Sequence, residues 1–146
     1  MSAGALAARV LREVGPVTGA LVVVAPRAGR LARALRAAAR GPAGAEAGGA
    51  VVSFLGCAGD PAARQQILDG LRARLPSGAP VVLIDHNRPR RWPGRLAGAA
   101  VLLLAGRRPA RARYPAAREL AALGFTVERL RLARAERVQV VVARRP

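Results

Sequence analysis

The chain has 146 residues, with 25 basic side chains against 8 acidic ones and a formal net charge of +17. That length suits one domain, and a hydrophobic fraction of 52% excludes wholesale disorder, while 3% aromatics leave the core to Ala, Val and Leu. One cysteine, Cys57, excludes an internal disulfide and a cysteine-rich metal site, and one histidine, His86, excludes a histidine-rich zinc site.

Ser2 is placed to cap a helix running to about Val14, with Leu6, Val10, Leu11 and Val14 at helical spacing. Gly15 and Pro16 end this N-terminal helix, and residues 1–19 read as a helix and turn. From Ala20 to Ala25 the chain is continuously apolar and rich in β-branched residues, as a strand inside a parallel sheet would be. Pro26 stops it, and residues 30–40 resume as a helix with Leu31 and Leu35 on one face. Residues 41–49 (GPAGAEAGG) read as a flexible Gly/Ala-rich linker. Residues 50–55 (AVVSFL) predict a second buried strand and residues 56–59 a turn. Asp60 then caps a helix with Pro61 at its first position and Ile67, Leu68, Leu71 and Leu75 as its apolar stripe.

A third strand is predicted over residues 80–85 (PVVLID), an apolar helix over 96–105 after a basic loop, and a short helix over 116–123 closed by Gly124. Residues 125–132 and 137–143 flank a short polar turn, and so short a link joins only antiparallel strands. The order predicts a single α/β domain over residues 1–146, built as a three-layer sandwich.

Every basic residue is arginine, which with the many Ala, Gly and Pro residues reads as the coding bias of a GC-rich genome. The field is physical whatever its origin, and implies nonspecific adhesion to nucleic acid or acidic membranes at low salt. Neither the run from Ala20 to Pro26 nor that from Leu96 to Ala105 approaches the ~20 residues of a bilayer span, so none is expected. The N-terminal stretch lacks an apolar block with a cleavage site, so the expected location is cytoplasmic.

From residue 50 onward the sequence resembles the second half of the class I S-adenosylmethionine-dependent methyltransferase family. The resemblance rests on AVVSFLGCAGDPAARQQILDGLRARLPSGAPVVLIDHNRPR and ARELAALGFTVERLRLARAERVQVVVARRP. Within these lie a Leu75-Pro76-Ser77-Gly78 turn, a strand ending at Asp85, and Gly124-Phe125 leading into a hairpin. It implies a Rossmann-like sheet of about five strands, in the spatial order first, second, third, fifth, fourth, with a C-terminal antiparallel hairpin. It also implies S-adenosylmethionine as a cofactor, no metal, and methyl transfer to an acceptor that the residues do not specify. The family's glycine-rich loop would fall on Val24 to Leu31, where Ala25 and Arg27 replace the first two glycines and Gly29 remains. With residues 41–49 standing where the family has two further strands, the resemblance implies an impaired ribose and adenine wall. The first strand, from Ala20 to Ala25, then becomes an edge open to a second copy or a partner chain.

In such a sheet the ligand crevice lies at the carboxyl ends of the strands. Ala25, Arg27, Gly29, Gly56 and Cys57 are therefore candidate cofactor residues, and Asp85, Asn87 and Arg88 border an acceptor or polyanion site. His86 is a candidate general base; alternatively, Asp85 and Asn87 cap the turn and His86 faces solvent. Cys57, with no second thiol, equally suits a small buried hydrophobe. Arg88, Arg91, Trp92 and Tyr114 belong to basic clusters around the apolar helix. They would suit RNA stacking in a non-catalytic module, an acidic membrane surface, or an arginine-lined substrate lid.

Overall fold

The computed structural model describes residues 2–26, 29–39, 45–57, 60–110 and 115–146. The Ser2 hydroxyl accepts the Ala5 amide hydrogen at 3.2 Å and starts α1 (Ala3–Val14), and Gly15 closes it at φ 73°. The described elements continue as β1 (Ala20–Val24), α2 (Arg30–Ala38), β2 (Ala47–Ser53), a 3-10 turn (Leu55–Cys57), α3 (Pro61–Arg74) and β3 (Pro80–His86). They end with α4 (Trp92–Leu104), α5 (Ala116–Ala122), β4 (Thr126–Ala133) and β5 (Val138–Arg144). Asp60 caps α3 through the Ala63 amide at 2.8 Å, as its position before Pro61 predicts.

The five strands lie in the order β1-β2-β3-β5-β4. β1, β2 and β3 run parallel, and β5 is antiparallel to both β3 and β4. Successive strand residues point to opposite faces, so the continuous apolar runs feed two cores. On one face α3 and α5 bring Leu68, Leu71, Leu75 and Leu120 onto Ala50, Val52, Val81 and Leu83. On the other, α1 and α2 bring Leu6, Val10, Leu31 and Leu35 onto Val51, Val82, Ile84 and Val140. Each fully buried Leu or Val contributes about 1.5–3 kcal/mol relative to exposure. This is the three-layer sandwich that the alternation predicts.

The structure corrects several boundaries. Of the predicted linker over residues 41–49, Ala47, Gly48 and Gly49 belong to β2, and residues 41–44 lie outside the described residues. The glycines there serve close approach rather than flexibility. The register slips between Ala20 and Leu21, leaving Gly48 as the extra residue, and a Cβ on it would collide with the Thr18 carbonyl. The helix predicted over 96–105 starts instead at Trp92, because Pro93 sits in the first turn, where its missing amide hydrogen costs nothing. Leu55, predicted as the end of a strand, belongs to the 3-10 turn, since Phe54 turns the chain at φ 55°. β1 is half-buried along its whole length rather than enclosed, because among the described residues it pairs only with β2 and forms the sheet edge.

Two glycines predict opposite outcomes. Gly48→Ala should lower stability by about 1–3 kcal/mol or more, because backbone must move to admit the methyl group. Gly70→Ala, within α3 with open space around the new methyl, should raise stability by about 1 kcal/mol. Urea denaturation of the two variants checks both signs.

Candidate functional site

The carboxyl ends of the parallel strands meet at one rim of the sheet, and Asp85 joins two of them. It lies near the end of β3, fully buried, with Oδ2 accepting the Gly56 amide hydrogen at 2.6 Å and Oδ1 accepting that of His86 at 2.7 Å. Gly56 lies in the turn after β2, so this carboxylate ties the exit of one strand to the exit of the next. Burial pushes its pKa up to about 6, against the opposing pull of the Gly56 and His86 amides and of the Arg64 and Arg107 charges. The Phe54 amide adds a second tie, donating to the Ile84 carbonyl at 2.7 Å.

Phe54 holds the left-handed region at φ 55°, which is uncommon for a bulky residue and marks an over-determined position. Its ring meets the His86 imidazole with centroids 4.7 Å apart and planes tilted by 33°. The Arg107 guanidinium lies 5.6 Å from the Phe54 ring centre and places Nη1 2.6 Å from His86 Nε2. Since a guanidinium has donors only, Nε2 is the acceptor in this contact, and Phe54, His86 and Arg107 form one stack at the rim.

The β4–β5 hairpin fixes the next residues. Arg134, Ala135 and Glu136 all have positive φ, which brings the tip beside the chain leaving β3. The Asn87 side chain donates to the Glu136 carbonyl at 2.7 Å, the Asn87 amide to the Arg137 carbonyl at 2.9 Å, and the Arg90 amide to the Glu136 carboxylate at 2.9 Å. Gln139 donates to the His86 carbonyl at 2.9 Å. A cavity of about 430 Å³ opens between this segment and α4, bordered by His86, Arg88, Arg95, Leu96, Leu102 and Arg137. A second, of about 590 Å³, borders Phe54, His86, Val101 and Arg137 from the hairpin side. His86 and Arg137 face both.

The structure thus brings His86, Asn87 and Arg88 to one rim with Gly56 and the half-buried Ala25, while Gly29 stands exposed at the start of α2. Cys57 has its backbone in the 3-10 turn. Arg91 and Trp92 are exposed at the start of α4 and do not line the first cavity. Arg27 and Tyr114 lie outside the described residues. Asp85, expected as a turn cap or a ligand residue, is instead a buried tie, with each oxygen accepting a backbone amide. Phe54 was not legible as a site residue, and Arg107 only as one of the arginines bracketing the apolar helix. Their sequence signal is an aromatic directly after an apolar strand and an arginine just beyond an apolar helix. Among the described residues no cluster of His, Cys, Asp or Glu could hold a metal ion, and no helix is long and apolar enough to cross a membrane.

No protein-family model matches the chain, and no curated protein matches it in sequence. Solved structures do. The pyocyanin biosynthetic protein PhzM aligns with 99% of this chain at a TM-score of 0.61 and 20% identity, over 54% of its own chain. A SAM-dependent methyltransferase from Aquifex aeolicus aligns with 94% of this chain and 88% of its own, at a TM-score of 0.53 and 13% identity. The chain therefore has a methyltransferase-like fold, a Rossmann-like sheet reduced to five strands in the described residues. It spans about half the length of PhzM.

The Asp85 tie has a definite pH signature. Its folded-state pKa lies above the unfolded value, so its contribution is full below about pH 4 and is lost as pH rises through about 6. The expected loss is on the order of 3 kcal/mol. In Asp85→Ala that slope should vanish, and at acid pH the variant should be less stable by about 1–3 kcal/mol, its Gly56 amide having lost its acceptor. The check is chemical denaturation of both proteins from pH 4 to 8, read as the difference between them so that other carboxylates cancel.

Proposed function

We propose that this chain is a methyltransferase-type domain that takes S-adenosylmethionine at the carboxyl ends of β1 and β2, with a weakened grip on the donor's nucleoside. The observation that carries this reading is the fold itself, a parallel β1-β2-β3 rim tied by Asp85 and matched over nearly the whole chain by a SAM-dependent methyltransferase. The residues fit the donor in part. A Cβ at Gly29 would meet open space, and the ends of β1 and β2 offer backbone from Ala25 and Gly56 with Cys57 beside them. By the family resemblance Arg27 stands at the second glycine position of the loop, and a positive charge there suits a carboxylate and opposes a sulfonium. Beyond β1 no described strand stands to flank a ribose and adenine.

When bound, the donor supplies an electrophilic methyl group on sulfur. This chain's own part is to hold the acceptor beside it. His86, Asn87 and Arg88 line the rim where the two cavities meet, and Arg88, Arg95 and Arg137 make that opening suited to an acidic acceptor. Arg107 Nη1 occupies the lone pair of His86 Nε2, so His86 can take a proton from the acceptor there only once Arg107 swings away. Pairing of a second copy or a partner chain along β1 would satisfy that edge and rebuild the absent flank.

A second reading has its own observation. Trp92 is 70% exposed among Arg88, Arg90, Arg91 and Arg95, an arrangement that also suits a non-catalytic module using its arginine face to bind RNA or a protein. Isothermal titration with S-adenosylmethionine separates the two. Weak, saturable heat near the millimolar range supports the donor site, and its absence there leaves the module. A polyanion titration at two salt concentrations then shows whether binding exceeds simple charge.

A further inference from the structure

Helix α4 is built inside out. A surface helix of a globular protein normally turns its large apolar residues inward and its small or polar ones to water. Here the inward positions are Gly94, Gly98 and Leu102. A Cβ on Gly94 would press on Pro89, one on Gly98 would touch both Pro89 and Arg137, and Leu102 is the helix's only buried residue. The large side chains face out: Trp92 is 70% exposed, Leu96 62%, Leu103 62% and Leu104 90%. Trp92, Leu96, Ala100 and Leu103 recur at i, i+4, i+8 and i+11, so they form one stripe, with Leu104 beside its end. The stripe runs the length of a 13-residue helix, about 20 Å. Water gains nothing from this arrangement, and an apolar patch of such extent marks an interaction surface.

The flanks of the stripe say what covers it. Arg88, Arg90, Arg91 and Arg95 stand at its start, and the exposed Arg108 follows its end. A second copy would bring these same clusters together, each on a chain of charge +17. A nucleic acid would satisfy the arginines but offer no apolar medium to Leu103 and Leu104. An anionic lipid surface satisfies both, with acyl chains for the stripe and headgroup phosphates for the guanidinium groups at its two ends. We propose that α4 is an interfacial helix that docks this domain onto anionic membranes, lying in the headgroup plane rather than crossing it. The opening bordered by Arg88, Arg95 and Leu96 would then face the lipid. This docking does not depend on the donor site, and the test reads it without the donor.

Trp92 is the only tryptophan in the chain and sits in the stripe, so its emission reports the contact directly. The full chain is mixed with vesicles of phosphatidylcholine alone or of equal parts phosphatidylcholine and phosphatidylglycerol, and followed by fluorescence and co-sedimentation. The expected result is a blue shift and co-sedimentation with the mixed vesicles only. The double variant Leu103→Ser/Leu104→Ser should bind roughly tenfold or more weakly. The control Leu130→Ser, which changes an exposed leucine on β4, should bind as the parent does, and thermal melts confirm that both variants fold. Equal binding by the double variant without a blue shift means adsorption by net charge and overturns the proposal. So does a Trp92 response to single-stranded RNA but not to vesicles, or a concentration-dependent blue shift that vesicles leave unchanged, which marks self-association.

Discussion

Asp85 sits fully buried in β3 with each carboxylate oxygen accepting a backbone amide hydrogen, one from Gly56 beyond the end of β2 and one from His86 in its own strand. The rim of the sheet takes its shape from that clamp. It sets the exits of β2 and β3 side by side and directs the chain after β3 toward the hairpin tip, where Asn87 and Arg90 are caught by Glu136 and Arg137. A buried carboxylate is expensive unless hydrogen-bonded, and the upward shift of its pKa shows that the two amides and the nearby arginines offset only part of that cost. Local stability is spent here on geometry.

Much of the architecture was legible in the sequence for simple physical reasons. Continuous Val and Leu runs over β1, β2 and β3 exclude a water-facing side and so imply a parallel sheet with helices on both faces. Ser2, Asp60 and Gly124 mark helix ends because each satisfies a terminal backbone group through local chemistry. The strand order followed from the family resemblance rather than from any local signal. Gly48 and Gly49 misled, because glycine supports both flexibility and close approach, and only the proximity of Thr18 to Gly48 and of Val17 and Pro80 to Gly49 decides between them.

The site was legible only in part. Placing His86, Asn87 and Arg88 at the rim needed only the knowledge that strand ends gather there. The stack of Phe54, His86 and Arg107 joins three segments far apart along the chain, and no spacing rule links them. Likewise, α4 reads simply as apolar, and its reversal appears only once Gly94 and Gly98 are seen against Pro89. Glu13, joined to Arg131 at 2.8 Å and Arg129 at 3.3 Å across to β4, shows the same limit. Pairing of this kind on an exposed sheet contributes little energy and leaves no pattern in the sequence.

Among the described residues β1 ends the sheet, and the donor site proposed above lies beside that edge. The most direct measurement of that account is amide chemical-shift mapping of the isotope-labelled chain titrated with S-adenosylhomocysteine. The account predicts perturbations confined to the ends of β1 and β2, around Ala25, Gly29 and Gly56, extending to the exposed edge of β1. Perturbations confined to α4, or none at saturating ligand, would contradict it.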